Sequence, residues 1–181
     1  MTLICKKVIQ YLSCAHPNRK IQFVQVDNIL RPGSGPGYSL LSCEKYLQIP
    51  FVFSSVDTIV KEDIPLPDHN WMGIANVNKP EEYCTVSIKN KLIDKLADKI
   101  QCKNKKAFIG LAGIKDYKHF FDSLKKDQLL IQNERQVSSG FRSLIKKKLY
   151  PITFSWSDIG SVDGYKKAKE KLSKQKELFN F

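Results

Sequence analysis

Apolar and polar residues alternate with two different periods along the chain, and the changes of period mark its elements. Ile4, Val8, Tyr11 and Leu12 recur at helical spacing and predict a first helix, ended by Pro17-Asn18. IQFVQV, residues 21–26, reads as a strand, and LRPGSGPG, 30–37, as a Gly/Pro loop. A second helix follows with Leu40, Cys43 and Leu47 inward. PFVFSSV, 50–56, is largely apolar, which predicts a buried strand ending at Asp57. The order helix, strand, loop, helix, strand predicts an α/β sheet with parallel members.

The second half continues the alternation. Residues 62–70 are polar with two prolines and read as a loop. WMGIANV, 71–77, is a strand, and YCTVSI and KLIDKL around Lys89-Asn90 form a hairpin. AFIGLAGI, 107–114, is strand-like. Tyr117, Phe120, Phe121 and Leu124 mark one short amphipathic helix, and Val137, Phe141, Leu144 and Ile145 another. ITFSW, 152–156, is a last strand, turned by Asp158-Ile159-Gly160. Neither repeats nor a linker interrupts the pattern, so residues 1–181 read as one domain.

Composition narrows the class without naming a chemistry. Apolar residues at 42% and charged residues at 27% suit a globular domain. No run of about 18 apolar residues occurs, so no membrane partner is expected. Lys6, Lys7 and Gln10 interrupt the N-terminal apolar residues, which excludes a signal-peptide reading. Five cysteines are scattered without a CxxC pair, as expected of reduced thiols in a cytoplasmic protein. His16, His69 and His119 form no ligand-spaced cluster. The formal charge of +12 calls for an anionic partner, but its lysines are spread along the chain. The lysines of 166–176 share a helix pattern with Tyr165, Ala168, Leu172 and Phe179, which reads as a solvated face. Nucleic acid is disfavoured as a partner, because arginine is scarce and no recognition module appears.

Two carboxylates stand where strands end. Asp57 follows the 50–56 run and Asp158 follows the 152–156 run. Ligands of α/β sheets gather at the carboxyl ends of strands, and a carboxylate there can hold Mg²⁺ together with substrate phosphates. Each aspartate taken alone reads as readily as a turn former. The loop Gly33-Ser34-Gly35-Pro36-Gly37 leads into a helix, so its backbone could approach a ligand or could simply turn tightly. It matches neither GxxxxGK[ST] nor GxGxxG.

Taken together, these pieces resemble a known family. SGPGYSLLSCEKYLQIPFVFSSVDTIV is similar to a stretch of the sugar-phosphate and choline-phosphate nucleotidyltransferases, where a small-residue loop, a helix and an apolar strand lead to a magnesium-binding Asp. FSWSDIGSVDGYKKAKEKL resembles their later motif, with a Trp-bearing strand before D-x-G. NKLIDKLADK and AFIGLAGIKDYKHFFDSL look like the family's hairpin with an acidic-Lys pair and its Gly-bearing strand and helix. The resemblance implies a Rossmann-like mixed, mainly parallel sheet of the nucleotide-diphospho-sugar transferase type, in a partial, N-terminally truncated domain.

The resemblance also implies roles. Asp57 and Asp158 would hold Mg²⁺, Gly35 and Gly37 would lie against the base, and Lys99 would face the acceptor phosphate as the catalytic lysine. Asp98 stands where the family often has Glu at the acceptor, and Gly110 would allow close substrate approach. The implied partners are a nucleoside triphosphate or nucleotide-sugar and a phosphorylated small-molecule acceptor, in nucleotide-sugar biosynthesis. The family's opening strand and GxGTR loop, which grip the triphosphate, have no counterpart here. The sheet's central first strand is missing with them. A separate N-terminal partner, a homo-oligomer filling the gap, a gene fragment or a rearranged sheet would each account for it. A non-catalytic member that binds ligand without turnover is the alternative reading.

Overall fold

The structure, a computed structural model, describes residues 3–27 and 31–179. Helix α1 (Leu3–Ala15) is followed by a stretch without regular structure, then by α2 (Pro36–Ser42) and a 3-10 turn (Glu44–Tyr46). Strands β1 (Phe51–Ser54), β2 (Thr58–Val60) and β3 (Trp71–Asn76) come next, then a second 3-10 turn (Pro80–Glu82). The hairpin strands β4 (Cys84–Lys89) and β5 (Leu92–Asp98) lead into the long strand β6 (Lys106–Ile114). Helices α3 (Tyr117–Lys126) and α4 (Ser138–Ile145), strands β7 (Tyr150–Thr153) and β8 (Trp156–Asp158) and helix α5 (Val162–Phe179) complete the order.

The main sheet runs β5-β4-β6-β3-β7, with β1 also paired to β6. Strand β6 takes β3 along one edge, through Met72↔Ala112 and Ala75↔Ala107. Its other edge is divided. Thr85 of β4 pairs with Ala107, whereas Phe51–Ser54 of β1 pair antiparallel with Ile114–Leu111. A separate two-stranded sheet joins β2 to β8, with Thr58 opposite Asp158. The α/β class and the mixed sheet are as expected, but the balance of directions differs. Among the described residues β3–β7 is the one parallel pair, so the sheet is mostly antiparallel rather than mainly parallel. Of these pairs only β4–β5 is a hairpin, turned at Asn90-Lys91; β1, β3 and β4 each meet β6 antiparallel across longer connections.

Alternate residues of the sheet feed two cores. On one face Met72, Ile74, Ala112 and Ile114 pack with Phe120, Phe121, Leu124, Phe141 and Leu144 of α3 and α4. The other face holds Trp71, Ala75, Ile109, Leu111 and Phe154. Phe141 is fully buried, with ring centroids 5.1 Å from Phe120 and 5.3 Å from Phe108. These helices formed as their periodicity required, because each buries an aromatic stripe.

Four local expectations are corrected. IQFVQV forms no strand: residues 21–26 pair with nothing in either sheet, and a strand pattern without a ladder partner leaves its backbone to solvent. Helix α1 forms, yet Val8 and Tyr11 on its apolar face are 49% and 70% exposed. The 50–56 run is an edge strand with Val52 and Val56 exposed, not a buried one. ITFSW divides at Phe154-Ser155, so that β7 serves the main sheet and β8 the small one.

Phe141→Ala is expected to lower unfolding free energy by about 3–5 kcal/mol through the cavity it leaves between α3, α4 and the sheet. The midpoint shift in urea at unchanged slope measures it.

Candidate functional site

Because β1 and β4 share one edge of β6 and then diverge, a gap opens opposite Phe108-Ile109-Gly110. A pocket of about 190 Å³ occupies it. Its walls carry Phe53 of β1, Ser55 and Asp57 after it, Thr58 of β2, Tyr83 and Cys84 at the start of β4, and Asp98-Lys99 at the end of β5. Gln136, Val137 and Ser138 approach from the α4 side, and Trp156 and Asp158 come from β8.

Two β6 carbonyls are satisfied across the gap, one by a backbone N–H and one by a hydroxyl. Ser55 N–H donates to the Gly110 carbonyl at 2.7 Å, and the Thr58 hydroxyl donates to the Ile109 carbonyl. Gly110 has φ +75°, and a Cβ there would stand 2.7 Å from Ser55 Cβ. Both the dihedral and the crowding require glycine.

The two strand-end carboxylates come together. Asp57 precedes β2, Asp158 closes β8, and the β2–β8 ladder sets them side by side. Ile159 N–H donates to the Asp57 carbonyl at 3.0 Å, and Gly160 N–H donates to Asp158 Oδ1 at 2.8 Å. A Cβ on Gly160 would lie 3.1 Å from both Asp158 Oδ1 and Asp57 Oδ2, which places both carboxylates around one residue. Tyr83 donates its hydroxyl to Asp158 Oδ2 at 3.0 Å, and its ring meets Trp156 edge-on at 5.6 Å. Burial, then the bond to Asp158 and the charges of Asp158, Glu82 and Asp57, push the Tyr83 pKa up to about 12. Among the described residues no group of three or more His, Cys, Asp or Glu surrounds a common point. The donors here are two carboxylates only, an all-oxygen set that fits Mg²⁺, which takes one or two carboxylates and completes its shell with water and phosphate.

At the other end, Asp98 is buried and bonded to Arg142 Nη2 at 2.5 Å, while Arg142 Nη1 reaches Asp127 at 3.0 Å. Burial pushes the Cys84 thiol well above its usual pKa, and the neighbouring Asp98 charge adds to it. Partial burial acts against ionisation of Asp127, but the Leu129 N–H, Ser139 and Arg142 outweigh it and hold its carboxyl below the usual value. Lys99 adopts φ 48°, and its Nζ donates to Gln132 Oε1 at 2.8 Å; among the described residues no ion pair joins it to an acidic side chain.

Of the residues singled out in the sequence, Asp57, Asp158, Asp98, Lys99 and Gly110 therefore line one pocket. Gly35 and Gly37 do not line it; Pro36 between them does. Gly35 and Gly37 instead lie against residues 134–136, where a Cβ would stand 2.8 Å from Glu134 Cβ and from the Arg135 and Gln136 carbonyls respectively. Sequence reasoning missed Tyr83, Arg142 and the pair Ser55 and Thr58. Only Tyr83 gave any signal, as an aromatic opening a strand; an arginine on an amphipathic helix gave none.

No family model matches the chain, and no curated protein matches it. Its fold does match solved structures. A putative glucose-1-phosphate thymidylyltransferase from Bacillus anthracis, in complex with a sucrose, superposes with a TM-score of 0.72 at 18% identity, covering 90% of this chain and 70% of that one. A UDP-glucose pyrophosphorylase complexed with UDP-glucose gives 0.71 at 17% identity, over 97% of this chain and 74% of that one. The apo form of a UDP-glucose pyrophosphorylase gives 0.64 at 17% identity, over 97% and 75%. At these identities the likeness is one of fold: the chain shares the mixed α/β architecture of these solved structures. No helix among the described residues is long and apolar enough to cross a membrane.

Arg142→Ala should destabilise the protein by about 2–3 kcal/mol, less than the ~3–5 of a fully buried pair because Arg142 is partly exposed. Adding Asp98→Asn should restore most of that loss by removing the stranded charge. Urea unfolding of the two single variants and the double variant closes the cycle.

Proposed function

We propose that this protein is a Mg²⁺-dependent nucleotidyltransferase-like protein, moving a nucleotide from a nucleoside triphosphate to a sugar phosphate or similar small phosphate. The observation that carries the reading is the meeting of Asp57 and Asp158 in a pocket that Lys99 also lines. Two anionic groups there suit a cation, and one cation suits a phosphate; a metal–polyphosphate beside a phosphorylated acceptor presents both.

In this reading an acceptor phosphate oxygen forms a bond to the α-phosphorus, and the bond to pyrophosphate breaks with its electron pair leaving on pyrophosphate. Asp57 and Asp158 would hold Mg²⁺, which when bound neutralises phosphate charge. Lys99 offsets the acceptor phosphate's charge as the two anions approach. Asp98, fixed by Arg142, forms the acceptor wall. Gly110 keeps the pocket floor free of a side chain. Gly35 and Gly37 hold their loop tightly against residues 134–136, so that Pro36 reaches the pocket, and the base is proposed to lie over this loop. No covalent enzyme intermediate is required; positioning and neutralisation carry the step.

One observation favours a second reading, binding without turnover. Among the described residues Lys99 is the single cationic side chain lining the pocket, a small complement for a triphosphate.

Asp57→Asn and Asp158→Asn should each abolish Mg²⁺-dependent binding of nucleotide or nucleotide sugar in calorimetry; retained binding in both variants overturns the site assignment. Pyrophosphate release from a panel of triphosphates and sugar phosphates separates the two readings: release means transfer, and binding without release means a non-catalytic receptor.

A further inference from the structure

We propose that Tyr83 is a positioning residue that holds the Asp158 carboxylate in the orientation a divalent cation requires and ties it to the Asp98–Lys99 end of the pocket. The inference rests on the assignment of Asp57 and Asp158 as the cation's ligands.

Tyr83 sits between the 3-10 turn Pro80–Glu82 and strand β4, so its backbone is fixed on both sides. Its hydroxyl donates to Asp158 Oδ2 at 3.0 Å, while Gly160 N–H donates to Oδ1 at 2.8 Å. Each carboxylate oxygen thus receives one donor, which sets the plane of the group and leaves lone pairs on both oxygens. Outer donors of this kind fix the geometry of metal-binding carboxylates without touching the metal. The Tyr83 ring is itself braced edge-on by Trp156, two residues before the carboxylate it holds.

The same residue reaches the opposite end of the site through its backbone. The Tyr83 carbonyl accepts the Lys99 N–H at 2.9 Å, and Cys84, next in the chain, pairs across the ladder with Asp98. A shift of Tyr83 would therefore move the carboxylate and the lysine together. A purely structural tyrosine makes a different prediction, since its loss would lower stability and leave cation affinity alone.

The experiment uses Mn²⁺ alone as probe, with free ion counted by electron paramagnetic resonance, on the full chain and on Tyr83→Phe and Asp158→Asn. The phenylalanine keeps the ring and removes the donor. The expected result is binding in the parent, loss in Asp158→Asn, and affinity weakened by about 10- to 100-fold in Tyr83→Phe at an unchanged thermal midpoint. In parallel, Mn²⁺ addition should give a tyrosine difference absorbance in the parent that disappears in Asp158→Asn. Parent-like affinity in Tyr83→Phe overturns the role of Tyr83 and leaves the cation site standing. No Mn²⁺ binding in the parent overturns both. Should Tyr83→Phe fail to fold, the parent's difference absorbance decides, and its absence overturns the proposal.

Discussion

Two strands compete for one edge of β6, and the rest of the site follows from how that competition is settled. Strand β4 takes the edge at Ala107 and β1 takes it from Leu111 onward. Between them the carbonyls of Ile109 and Gly110 need partners that no ladder supplies. Thr58 and Ser55 provide them, which draws the chain after β1 over the strand and delivers Asp57 to the pocket mouth. An unpaired buried carbonyl would cost about 1–3 kcal/mol, so this route is strongly specified. The pocket is the opening left where a sheet changes neighbours, closed by one backbone N–H and one hydroxyl.

Charge is then distributed along the opening. The β2–β8 ladder sets Asp57 beside Asp158, Arg142 balances Asp98, and among the described residues Lys99 has no acidic partner. The intervening wall is aromatic, from Phe53, Tyr83, Phe108 and Trp156. A ligand with a bound cation, a flat apolar portion and an anionic end is complementary to this order.

Much of this was legible in the amino-acid sequence, and the reason differs by element. Helices α3 and α4 bury side chains on a period that reads directly, and strands β3 and β6 read as apolar runs because both their faces are buried. Asp57 and Asp158 stood out by their places at strand ends, whereas Asp98, Lys99 and Gly110 were singled out only through the family resemblance. What could not be read was pairing. Nothing local tells PFVFSSV that its partner is antiparallel and that its other edge stays open, or tells IQFVQV that no ladder will accept it. Nor does ITFSW reveal that Phe154 and Ser155 divide it between two sheets. Gly35 and Gly37 show the same limit: glycine spacing announces a close approach but not to what, and in the fold they meet the backbone of residues 134–136. Tyr83 and Arg142 act through partners far away in the chain, which no window of sequence contains.

That distance has a kinetic side. Seventy-five residues separate Tyr83 from the carboxylate it holds, and the intervening chain includes β4, β5, β6, α3, α4 and β7. The bond closes a loop that encloses most of the sheet, so its entropy must be met by contacts formed earlier. The pairing of Asp57 with Asp158 is therefore expected among the last features to assemble and the first to loosen, with β8 as its latch. A chain folded around β6 but not yet closed by β8 would have its cores largely in place and no paired carboxylates, which makes ligand binding a report on complete folding rather than on the presence of the sheet.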